Sequence, residues 1–214
     1  MKNIKINKQQ AVTSIFILFC LAGYVFFPAN GYFQYKFVAL IFLVALPFLY
    51  NNLFLKKENI LKNILIGDWK KNLLYLMIGL FCSFLIMAIL FKYTDIGNHY
   101  LLSILVKTDF KQFLLYEFTG VAFTVTMYEL FFRGFVMFYF STFLGKWAIV
   151  IQFLFFIVLM LFLNLPYWFY VTYLVFNPFA GWIAYKSNSL SYSFFGQLFF
   201  IIIIDSTFIA LTVK

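Results

Sequence analysis

The chain has 214 residues, of which 65% are hydrophobic, 25% aromatic and only 11% charged. Soluble domains carry about 25% charged residues, so a water-soluble globular fold is excluded and a single all-α, polytopic transmembrane domain over residues 1–214 is expected. The net charge of +9 comes from lysines scattered over the loops, which fits membrane topology and the lipid bilayer as a partner, and does not fit nucleic acid. Long unbroken Phe, Leu and Ile runs also exclude a transmembrane barrel, whose strands alternate in polarity over about ten residues.

A spanning helix needs about 20 apolar residues, and seven stretches qualify by hydropathy: roughly 11–27, 37–55, 73–91, 113–140, 147–163, 166–185 and 193–213. The first is followed by Pro28 and Asn30 in place of a small-residue cleavage site, so it reads as a spanning helix and not as a cleavable signal peptide. Cys20 and Cys82 fall in apolar helices, as inert buried thiols. Pro47 and Pro178 predict kinks, and the fourth stretch is long enough to project from the membrane or bend near Gly134. Residues 56–72, with Trp69, Lys70 and Lys71, read as a basic loop or an interfacial helix at headgroup level. His99, the only histidine, stands in the outer loop with Asp95 and Asp109 and reads as an exposed loop residue. With one histidine there is no zinc-type ligand spacing, and without a glycine-rich phosphate loop nothing calls for a metal or cofactor. Segments five and six are joined by Asn164-Leu165-Pro166, a tight hairpin.

Lysine and arginine asymmetry sets orientation. With the N-terminus in the cytoplasm, Lys2, Lys5, Lys8, Lys56, Lys57, Lys62, Lys70, Lys71, Arg133, Lys146 and Lys186 fall inside, whereas Lys36, Lys92, Lys107, Lys111 and Lys214 fall outside. A bacterial cytoplasmic membrane with the N-terminus inside is the expectation.

Chemistry concentrates in Tyr128-Glu129-Leu130-Phe131-Phe132-Arg133-Gly134. Glu129 and Arg133, the chain's one arginine, stand four apart on a helix face and can pair. Intramembrane charges face the bundle interior or a wet cavity, so the pair is either a bolt between helices or part of an active site. Of the other acids, Glu117 and Asp205 also fall in spans. Glu117, near a helix end, reads as a boundary residue in reach of water. Asp205, near mid-helix, needs a partner or a cavity, because insertion scales put a central Asp at about 2.5–3.5 kcal/mol.

Glu129 through Gly134 resembles the first motif, Glu-Glu-x-x-x-Arg followed by Gly, of the CAAX protease and bacteriocin-processing (Abi) family of intramembrane proteins. The resemblance runs over about 113–205; Gly145-Lys146-Trp147 and the stretch Gly181-Trp182 through Ser189-Leu190 add to it. It implies a multi-helix bundle in which active members use a glutamate, assisted by two histidines, to activate water for peptide cleavage; some members serve in bacteriocin immunity. Carried across, the motif positions are Tyr128 (for the first glutamate), Glu129, Arg133, Phe156, Met160 (for the second-motif histidine), Gln197 (for the third-motif histidine) and Ile201 (for the following Asn or Asp), with Asp205 the nearest acidic substitute. Methionine relays no proton, glutamine does not titrate, and losing one general acid or base lowers rates about 100- to 10,000-fold. The expectation is a pseudoenzyme acting through another membrane protein or a peptide, as an accessory subunit or in an immunity-type role. Two alternatives stand beside it: an endopeptidase rebuilt around Glu129 and Arg133 with Tyr128, Gln197 or Asp205, and a small proton-coupled transporter using Glu129, Arg133 and Asp205 as a relay.

Overall fold

Where lipid replaces water, every backbone N–H and C=O must be satisfied within the protein, and long apolar runs do so as helices. The computed structural model describes residues 8–55, 69–96, 102, 104–164 and 167–212, and within these it is helical throughout, with no strand. His99, residues 56–68 and Leu165-Pro166 of the expected hairpin lie outside the described residues. The helices are α1 (Lys8–Phe26), α2 (Tyr32–Leu55), α3 (Trp69–Tyr93), α4 (110–144), α5 (Ala148–Leu163), α6 (Val171–Ser187) and α7 (Leu190–Thr212), with a short helical turn at Ile104–Thr108. Among the described residues, five stretches are long and apolar enough to cross a bilayer: α1, α2, α3, the run Phe110–Leu163 that contains α4 and α5, and α7. The protein is an integral membrane protein by this criterion. Its outer faces agree: Phe33, Phe81 and Leu161 are 79%, 70% and 68% exposed, an apolar surface that water would not tolerate at such extent. α6, at 17 residues, is not among the five.

The chain forms two compact units, Met1–Lys57 and Glu58–Lys214. In the first, α1 and α2 pair. Thr13 Oγ1 and the Tyr50 hydroxyl lie 3.0 Å apart, the Phe16 and Tyr50 rings stack at 4.1 Å, and Cys20 is buried. Pro47 stands between two π-helical turns, Ile41–Ala45 and Asn51–Leu55. The bare Cα of Gly23 is what lets the Phe42 ring lie against α1, since a Cβ there would stand 2.1 Å from the ring. Gly23→Ala is therefore expected to destabilise this unit. Overpacking destabilises by about 1–3 kcal/mol and the helix-propensity gain of Ala over Gly returns about 1, leaving a net loss of up to about 2 kcal/mol, read from thermal unfolding of the detergent-solubilised protein.

In the second unit α6 packs against both α3 and α7, and the far half of α4 packs on α5 and α7. Leu80, Phe176, Ile183, Phe200 and Ile204 form its core, and Cys82 is half-buried. Asp109 caps α4, its Oδ1 accepting from the Lys111 amide at 2.8 Å, an N-cap that satisfies an otherwise orphaned donor. The bend expected near Gly134 is not the break in this stretch. The helix instead widens over Glu129–Met137 into π-helical winding, with the Phe138 amide donating to the Arg133 carbonyl. The chain reverses beyond it, at Gly145, whose φ of +56° is a conformation glycine adopts without strain. Asn164 and Asn188 end α5 and α6 in the left-handed region, a role asparagine takes at helix C-termini. Ser189 then opens α7, its Oγ accepting from the Ser191 amide at 3.3 Å.

These turns sort the charges by end. The start of α3, the α4–α5 turn and the end of α6 share one end: the Tyr75 and Trp182 rings lie 5.4 Å apart, and a Cβ on Gly145 would stand 3.9 Å from the Tyr185 hydroxyl. The other end carries the end of α3 and the start of α4, and Lys107 lies over the Phe208 ring of α7.

Candidate functional site

The site grows from the antiparallel contact of α4 and α7. Glu129 and Arg133 lie on the π-helical segment of α4 and are buried, 2% and 0% exposed, with Arg133 Nη1 3.5 Å from Glu129 Oε2. From α7, the Ser193 hydroxyl donates to Glu129 Oε1. One turn on, Gln197 Oε1 accepts from Arg133 Nη2 at 3.2 Å. The long guanidinium arm thus joins a carboxylate on its own helix to an amide on the next. π-helical turns are uncommon and recur at functional sites; this one presents both charges to α7.

The cluster is only partly saturated. Glu129 Oε2, Arg133 Nε and Nη1, and Gln197 Nε2 have no hydrogen-bond partner among the described residues. A second buried polar contact stands nearby in register: Gln152 Nε2 of α5 donates to Asn177 Oδ1 of α6 at 3.1 Å. Rings bring these helices to one level, with Phe132 and Phe156 at 5.2 Å and Tyr128 and Tyr173 at 5.9 Å.

The other motif positions divide. Tyr128 packs its ring edge-on against Phe132 and Phe156, on the aromatic side of α4. Phe156 and Met160 are buried on α5, and Ile201 is buried on α7 in the core with Phe176 and Phe200. Asp205 does not join the Glu129 cluster. It faces Glu117 of α4, carboxyl to carboxyl, eight residues and about 12 Å of helical rise beyond Gln197. Glu117 is accordingly not a water-reaching boundary residue, being 1% exposed. Its place near the helix end is covered by α7, and no amide or hydroxyl donor reaches either of its oxygens among the described residues.

Ser193, Gln152 and Asn177 were not singled out from sequence. A signal for the first existed: Ser189, Ser193, Gln197 and Asp205 fall on one four-residue period along α7, the spacing of a single helix face.

Above Glu129 a groove of about 280 Å³ opens between α4 and α7, walled by Leu130, Leu190, Phe194 and Phe195. Phe195 is exposed, so the groove opens on the side of the bundle, and Thr126, Glu129 and Ser191 are the polar residues along it.

Comparison with known proteins gives no match: no family model, no curated protein and no solved structure matches the chain.

Proposed function

We propose that this chain is a catalytically silent integral membrane protein of the CAAX-protease and bacteriocin-processing kind. In this reading it resides in a bacterial cytoplasmic membrane with its N-terminus inside. It works by holding an apolar segment of a membrane or peptide partner in the groove over Glu129, as an accessory subunit or in an immunity-type role. The observation that carries the reading is the state of that carboxylate. Glu129 is engaged by Ser193 and Arg133, and the side chains at the remaining motif positions are a phenol turned into an aromatic cluster, a thioether, an amide and an alkyl group. A general base must reach its water and pass a proton onward, and nothing in that set takes the second step. The Arg133–Gln197 bond supports the family resemblance, because it joins the first-motif arginine to the residue counted into the third-motif histidine position. The rebuilt-protease alternative loses its acidic candidate, since Asp205 is occupied with Glu117.

The test uses the full-length protein in vesicles with a panel of synthetic apolar helical peptides. No peptide is cleaved, and a labelled peptide binds with an affinity that falls at least about tenfold when Leu130→Trp fills the groove, as expected for loss of a central contact. Cleavage that vanishes in Glu129→Gln would establish the protease instead.

A further inference from the structure

We propose that the end of the second unit bearing Lys146 and Lys186 holds a binding site for the phosphate headgroup of an anionic phospholipid. The α4–α5 turn and the end of α6 enclose a concavity of about 550 Å³, lined by Lys146, Trp147, Trp182, Tyr185 and Lys186 together with the first turn of α5. Its composition is that of a headgroup site. Two ammonium groups meet the charge of a phosphodiester, indole N–H and phenol O–H groups donate hydrogen bonds, and aromatic rings sit where membrane meets water.

Three further observations favour this occupant. Lys70 and Lys71 begin α3 at the same end, whose place is fixed by the Tyr75–Trp182 contact. Among the described residues no carboxylate stands at this end: Asp95, Asp109, Glu117 and Asp205 are at or toward the other, and Glu129 is in the interior. The described charges at this end are therefore of one sign, and basic residues at a membrane surface attract anionic lipid. Second, Ile149 and Val150 put the N-terminal turn of the 16-residue α5 on the concavity, and the positive end of its dipole adds to the two lysines. Third, the concavity continues into an apolar track. Val150, Leu154 and Leu161 are exposed along one face of α5, so a molecule with its phosphate between the lysines lays its acyl chains on that face. A free phosphate would use the charges and leave the track without purpose, which is why the site is assigned to a lipid.

The experiment uses the full-length protein in neutral detergent, with tryptophan quenching by brominated-chain phosphatidylglycerol and, in parallel, phosphatidylcholine of the same chains. Wild-type protein prefers phosphatidylglycerol. Lys146→Gln/Lys186→Gln lowers its affinity for phosphatidylglycerol about thirtyfold, the share of two lysines at a membrane surface, and leaves phosphatidylcholine binding as it was. Lys70→Gln/Lys71→Gln, at the same end and outside the concavity, loses much less. Thermal unfolding checks that both variants are folded. Equal binding of the two lipids by wild-type protein would overturn the proposal. So would an equal loss in the two double variants, which would mean a diffuse basic belt, or competition by glycerol phosphate, which would mean an anion site without lipid.

Discussion

Arg133→Met lowers the stability of the protein by about 3–5 kcal/mol, the effect of removing one partner from a buried ion pair. The side chain removed is fully buried, and it is both the countercharge of Glu129 and the donor to Gln197. Ser193 still donates to one oxygen of Glu129, but a hydroxyl does not neutralise a carboxylate. Glu129→Gln/Arg133→Met is expected to recover most of the loss, because replacing both members of a buried pair by neutral groups is often neutral or stabilising. The measurement is a double-mutant cycle by thermal or denaturant unfolding in detergent. Strict additivity would show that the two side chains do not act on each other and would remove the ion pair from the account of the fold.

The second large effect has the opposite sign. Glu117→Gln raises stability by about 1.5–3 kcal/mol, the range for a hydrogen bond to a charged group. As it stands, two acidic side chains meet in the bundle interior, and neither oxygen of Glu117 receives a bond from an amide or hydroxyl. Glutamine keeps the shape and offers Asp205 an N–H in place of the proton that two facing carboxyls must share, which removes the cost of taking up that proton. The same unfolding measurement decides it. A loss of stability in Glu117→Gln would mean that the carboxyl at 117 is itself required, as a proton carrier between α4 and α7 would be.

The helices were legible because apolar runs in a chain so poor in charge have one way to satisfy their backbones. The break between α4 and α5 was legible from Gly145-Lys146-Trp147. What could not be read was which face of each helix looks inward. α5 is apolar apart from Gln152, so hydrophobic periodicity gives little direction, and the Gln152–Asn177 bond emerges only when α5 and α6 are set side by side. Gln197 stands among the side chains that the sequence offers to the Glu129–Arg133 pair, and it accepts from Arg133. The burial of Glu117 was not legible, because its cover lies 88 residues on in α7. Glu129 opposite Ser193 and Glu117 opposite Asp205 share one antiparallel register, and the four-residue polar period of α7 was the available clue to it.

That polar face has a bearing on biogenesis. Ser193, Gln197 and Asp205 give α7 a polar face that hydrocarbon alone does not satisfy, and insertion scales put an aspartate at up to about 2.5–3.5 kcal/mol. The surface that receives it, on α4, is translated some sixty residues earlier. Synthesis thus supplies the receptor before the guest. Variants that weaken α4 should then betray themselves first as a failure of α7 to integrate, before any change in the finished molecule is seen.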